Sequence, residues 1–168
     1  MTHLPDTLTT ARLILRRPAL GDLAAYVAYY TGPRTTGVGG PRPRNDVVDR
    51  FHAMAGQWAL RGYGRYVITQ GGAGFGHVGI MHMDLDDRAE ITWTLWDGAQ
   101  EGQGFATEAA RAVLDAWTGA PLVARVDPAN APSRRVAERL GLVEDPQAVP
   151  PDHGPCLCTY VPAAAVSP

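Results

Sequence analysis

The 168-residue chain contains no lysine: all fifteen cations are arginines, set against 17 acids for a net charge of -2. Without lysine no Gly-Lys-Ser/Thr phosphate loop can be built, which sets aside a nucleoside-triphosphatase of that kind. Without a basic excess or stripe, no nucleic-acid partner is expected, because duplex binding rests on neutralising phosphates. Cysteine is scarce too. Cys156 and Cys158 stand one residue apart, too close for a disulfide framework and two ligands short of a zinc site, and they read as alternating strand residues. No metal is expected. No apolar run nears the roughly eighteen residues needed to span a bilayer, and Met1 to Thr10 lacks the basic start and apolar stretch of a leader. No membrane partner is therefore expected, and the cytoplasm is the default compartment.

The composition present is that of a folded chain, 45% hydrophobic and 19% charged. One domain over residues 1–168 is the economical reading of the length. With 19 Gly and 14 Pro, short elements and many turns are expected. Ala11–Arg17 alternates Leu13 and Leu15 with Arg12 and Arg16, a strand pattern stopped by Pro18. Asp22 is placed to cap a helix carrying Leu23, Tyr26, Val27 and Tyr30 at i, i+3, i+4, i+7. Residues 31–44, rich in Gly and Pro, read as a mobile loop. A second helix opens at Asp46, with Val47, Phe51, Met54 and Trp58 on one face, and ends near Gly62. Three strands follow, Arg65–Gln70, Phe75–Met83 and Ala89–Trp96, with turns at Gly71-Gly72 and Asp84–Asp87 that predict an antiparallel meander. After residues 97–104, Ala106, Ala109, Ala110, Val113, Leu114 and Trp117 mark the clearest helical period in the chain. Leu122–Val126, a helix carrying Val136, Ala137 and Leu140 inward, Gly141 as a left-handed terminator, Leu142–Glu144 and Cys156–Val161 complete an α+β order: strand, two helices, meander, then β-α-β-α-β.

Two glycine clusters are candidates for chemistry. Gly74-Phe75-Gly76-His77-Val78-Gly79 matches the dinucleotide fingerprint, but Ile80 to Met83 continue as a strand, whereas that motif must open a helix. The second cluster has the required context. Gly102-Gln103-Gly104-Phe105-Ala106 follows a strand and enters the strongest helix, so free amides at the helix start make a concave site for a phosphate or diphosphate.

Residues 90–141 resemble the core of the GNAT superfamily of acyl-CoA-dependent N-acyltransferases, especially the ribosomal-protein N-terminal acetyltransferase branch. The likeness rests on Gly102-Gln103-Gly104-Phe105-Ala106-Thr107-Glu108-Ala109, on Asp127-Pro128-Ala129-Asn130-Ala131-Pro132-Ser133, and on Glu138-Arg139-Leu140-Gly141-Leu142. The opening Thr10-Ala11-Arg12-Leu13-Ile14-Leu15-Arg16 is similar to that branch's start. The resemblance implies a mixed sheet in which two adjacent parallel strands splay apart to admit the pantetheine arm of acetyl-CoA. It implies that Trp96, Gly102, Gln103, Gly104, Phe105, Ala106 and Thr107 belong to the cofactor site, Asn130 to the pantetheine arm and Ser133 to the thioester sulfur. Two positions depart from the family pattern: Glu101 stands where Gln or Arg is common, and Ala137 where many relatives carry an acidic tyrosine.

Acetyl transfer needs an uncharged amine. Near pH 7.4 an α-amine is about a quarter to a third neutral and a lysine-like amine about a thousandth, so the former asks little of a base. Glu90 is the leading base candidate, on the strand entering the phosphate loop; an exposed pair with Arg88 or Arg65 is its bland alternative. Ser133 would hydrogen-bond the departing thiolate or, alternatively, cap a helix. His77 and His82 point to opposite strand faces and read better as satisfied structural histidines, and Glu108 as a helix-dipole partner. The acceptor, a small-molecule amine or a protein N-terminus, is not fixed by the sequence, nor is the choice between monomer and homodimer. A non-catalytic acyl-CoA sensor is the alternative function.

Overall fold

The computed structural model describes residues 3–83, 88–150 and 156–165. Four helices and eight strands are described: β1 (Thr7–Thr9), β2 (Ile14–Arg16), α1 (Leu23–Tyr30), α2 (Arg44–Arg61), β3 (Arg65–Thr69), β4 (Gly76–Met81), β5 (Glu90–Leu95), α3 (Phe105–Ala116), β6 (Ala124–Val126), α4 (Ala131–Arg139), β7 (Leu142–Glu144) and β8 (Cys158–Pro162). Strands β1 to β5 form one antiparallel sheet in sequence order, and β6-β8-β7 form a second. The meander expected from the sequence is thus β3-β4-β5. Its Asp84–Asp87 turn lies outside the described residues.

Period-two alternation divides the larger sheet into two faces. Tyr66, Ile68, Val78, Ile80 and Ile91 pack against Phe105, Ala109, Ala110 and Val113 of α3. On the other face Val67 and Trp96 join Tyr26, Val27 and Tyr30 of α1 and Val47, Phe51 and Met54 of α2. The helical faces read from spacing are therefore the buried ones, and Gly62 ends α2 in the left-handed conformation at φ 72°. Gly79 explains the first glycine cluster. At φ 144°, a Cβ there would stand 2.4 Å from the Gly64 carbonyl oxygen, so the residue permits close strand approach in β4.

Four local expectations differ from the structure. Asp22 makes no side-chain cap on α1; its buried carboxylate accepts two bonds from Arg16, at 2.7 and 2.8 Å, and one from the Ala19 amide. A bidentate guanidinium outcompetes helix amides for a carboxylate. Residues 31–44 are not a featureless loop, because Pro33–Val38 forms a 3-10 helix with Thr35 fully buried. A hairpin partner, β1, precedes the first expected strand. Finally, Cys158 lies in β8 but Cys156 lies in the turn before it, and β8 inserts between β6 and β7.

The decisive feature is a single parallel seam. Glu90 bridges Val123, the Ile91 amide donates to the Val123 carbonyl at 2.8 Å, and the Val123 amide donates to the Ala89 carbonyl at 3.2 Å. Beyond that point β5 and β6 part.

Candidate active site

The parting of β5 and β6 opens a cleft of about 670 Å³. Trp93, Thr94 and Leu95 of β5 form one wall, Gly102 and Gly104–Thr107 the closed end, and Asn130, Ser133 and Val136 the opposite wall, with Tyr29, Arg34 and Val38 at the mouth. Because the Ile91 amide faces β6, strand alternation turns the backbone groups of Trp93 and Leu95 to the same, now unoccupied edge.

The closed end is built from local conformation. Gly102 and Gly104 sit at φ 75° and 80°, a region that side chains disfavour, with no atom nearer than 3.7 Å to the Cβ either would carry. The backbone amides of residues 102–107 find no acceptor among the described residues, as the first turn of a helix requires. The Thr107 hydroxyl is also buried without a partner. Arg12 and Thr10 hold this helix start in place. The Glu108 carboxylate accepts from the Thr10 hydroxyl at 2.6 Å and from Arg12 Nε at 2.7 Å, while Arg12 lies 4.6 Å over the Phe105 ring. Burial alone would raise the Glu108 pKa, but these bonds hold it below the usual value.

The residues expected in the site fall into three groups. Gly102, Gly104, Phe105, Ala106, Thr107, Asn130 and Ser133 line the cleft. Gln103 and Trp96 do not. Gln103 turns back to donate to the Ala99 carbonyl at 2.9 Å, and the Trp96 indole is buried in the α1/α2 layer, donating to His77 Nδ1 at 2.9 Å. Trp96 shares a strand face with Val67, and its ring packs beside Tyr26 and His77. Glu90 forms the third case. It is buried at the seam, ion-paired to Arg125 at 2.5 Å, on the sheet face that also carries Thr92 and Thr94. Ser133 does not cap α4: the Asn130 side chain caps it, accepting from the Ser133 amide at 3.1 Å, and Ser133 is among the residues lining the cleft. Ala137 is fully buried in the core.

The structure adds arginines that the sequence analysis did not single out. Arg34 donates to the Trp96 carbonyl at 2.6 Å and ion-pairs with Glu101, so the acid at the head of the loop is countered by a cation from the α1–α2 segment. Arg135 and Arg139, at i, i+4 spacing on α4, also line the cleft wall. His82 is held by the Tyr63 hydroxyl at 2.9 Å, away from this cleft. Among the described residues no cluster of three metal-ligating side chains occurs, and no helix is long and apolar enough to cross a membrane.

Residues 12–143 match the family model described as acetyltransferase (GNAT) domain. Among solved structures the chain is similar to an acetyltransferase from Agrobacterium tumefaciens, at 36% identity over 92% of both chains and a TM-score of 0.82. Its fold is similar to that of RimL, the ribosomal L7/L12 α-N-protein acetyltransferase in complex with coenzyme A, at 17% identity, 94% of this chain, 95% of that one and a TM-score of 0.69. It is likewise similar to that of the aminoglycoside acetyltransferase AAC(6')-Ib in complex with coenzyme A, at 18% identity, 90% and 95% coverage and a TM-score of 0.71. No curated protein sequence matches the chain.

Proposed function

The chain belongs to the GNAT acetyltransferase family, and from that premise we propose that it transfers an acetyl group from acetyl-CoA to a primary amine, both bound at once. The observation that carries this reading is the closed end of the cleft. Successive unpaired amides from Gly102 to Thr107 and the buried Thr107 hydroxyl form a donor set suited to a diphosphate. The opened edge of β5 offers Trp93 and Leu95 backbone groups to the amides of the pantetheine arm. Arg135 and Arg139 put positive charge along the α4 wall, suited to the remaining phosphate. Arg34, paired with Glu101, offsets an acid that would otherwise repel an anionic ligand.

In the reaction the amine nitrogen attacks the thioester carbonyl carbon. The new C–N bond forms, the C–S bond breaks, the amine gives up a proton and CoA departs as its thiolate. Ser133 is assigned a hydrogen bond to that sulfur. Glu90, buried at the seam beside Arg125, is assigned the role of accepting the proton that the attacking amine gives up. The acceptor amine is a protein N-terminus or a small molecule. Purified protein with acetyl-CoA and a panel of amines should release free thiol. Glu90→Gln should lower kcat/KM at least tenfold below the amine's pKa, and a pH profile matching the parent removes Glu90 from the mechanism. A thermal shift with CoA, but no thiol from any amine, would identify an acyl-CoA sensor instead.

A further inference from the structure

The sheet face beneath α1 and α2 carries positive charge that the described residues do not balance. Arg65, at the start of β3, has its Nε shut off from solvent without a hydrogen-bond partner, and its side chain makes no ion pair among the described residues. Its electrostatic neighbours are the Tyr26 and Tyr30 hydroxyls of α1, Arg50 of α2 and Glu90 of β5. The Tyr26 hydroxyl is itself buried and unbonded. Exposed Arg50 makes no ion pair among the described residues, while Glu90 is engaged by Arg125. Arg65 and Arg50 thus face a carboxylate that is already bonded to another arginine. Arg65 is half-buried, with its Nε withdrawn from water and unbonded, and an arginine's planar fork matches a carboxylate or phosphate in two-point contact.

The strand register joins this cluster to the cleft. Thr94 is in the cleft wall, and Thr92, two residues earlier on the same face, lies in one row with Gly79 and Arg65. At the middle position of that row, Gly79, the neighbouring Gly64–Arg65 backbone approaches closely. Two strand spacings, about 10 Å, separate the Thr92 and Arg65 backbones, and the arginine side chain shortens that gap. An amine placed near Thr94 for acetylation therefore lies within about two strand spacings of the Arg65 backbone, within reach of a group a few bonds from its nitrogen.

We propose that Arg65, assisted by Arg50, is the specificity site for the acceptor and holds a carboxylate or phosphate on it, so that the substrate is an anionic amine and not a polycation. This rests on the acetyl-transfer reading above. The test pairs amines that differ only in that group: α-amino acids with their amides, and phosphoethanolamine with ethanolamine, each assayed by thiol release beside a CoA-binding measurement. The anionic member should have a kcat/KM at least tenfold higher in one pair, which also tells carboxylate from phosphate. Arg50→Gln, on an exposed position, should shrink that ratio about fivefold through KM, and Arg65→Met should abolish it. Neutral members turned over equally well, or a ratio unchanged in Arg50→Gln, would overturn the anion site and leave acetyl transfer standing. Absence of turnover in every pair, with CoA bound, would overturn the transfer reading and this one with it.

Discussion

Thr107 keeps a hydroxyl out of water with nothing to bond. Such a group lowers stability, and its retention at the closed end of a cleft has a reason only if a ligand supplies the missing partner. Thr107→Val should leave the melting temperature unchanged or raise it, while CoA affinity falls about tenfold, the worth of a hydrogen bond to a charged group; calorimetry and thermal denaturation read the two effects separately. His77 makes a second prediction at this scale. Trp96 donates to its Nδ1, so the neutral ring carries its proton on Nε2. Burial, then the positive charges of Arg65 and Arg50, push its pKa well below 6.5. Between that folded value and 6.5 only the unfolded chain takes the proton, so the contribution is complete above pH 6.5 and is lost as pH falls, by up to about 1.4 kcal/mol per pH unit. His77→Gln, which keeps an acceptor for Trp96, should flatten the stability slope just below pH 6.5 in denaturant titrations.

Between elements, the contact that matters most for the site joins the 3-10 helix Pro33–Val38 to the loop before α3 through Arg34 and Glu101. Both side chains are partly exposed, so the pair itself adds little stability. Its consequence is electrostatic: it neutralises an acid beside the donor cradle. Arg34→Ala should weaken CoA binding by about three- to tenfold, and Arg34→Ala with Glu101→Ala should restore most of the loss, a coupling measurable by a double-mutant cycle. Elements whose pattern is local were legible in the sequence. The buried faces of α2 and α3, the glycine cradle and the Gly141 terminator, at φ 82°, each follow from residues within a few positions of one another. Trp96 was not legible in this way. Period-two spacing gives the two faces of a strand but does not say which face meets the α1/α2 layer, and the Trp96 side chain went there.

For the molecule as a whole, the seam at Glu90 and Val123 decides whether there is a cleft at all. A buried carboxylate and guanidinium mark it, both side chains 6% exposed. Arg125→Met should cost about 3–5 kcal/mol by leaving a buried charge short of its partner, and Glu90→Gln added to it should recover much of that loss, as read from denaturant midpoints. The order of helices and strands, the meander and the glycine loop that opens α3 are determined by the sequence alone, because periodicity, glycine conformation and helix starts depend on neighbours along the chain. The tertiary structure decided that β8 lies between β6 and β7, that Glu101 is countered by an arginine 67 residues away, that Glu90 pairs with Arg125, and that Arg65 makes no ion pair among the described residues. Those outcomes depend on which faces are brought together when the two sheets and four helices pack, and no local pattern of residues carries that information.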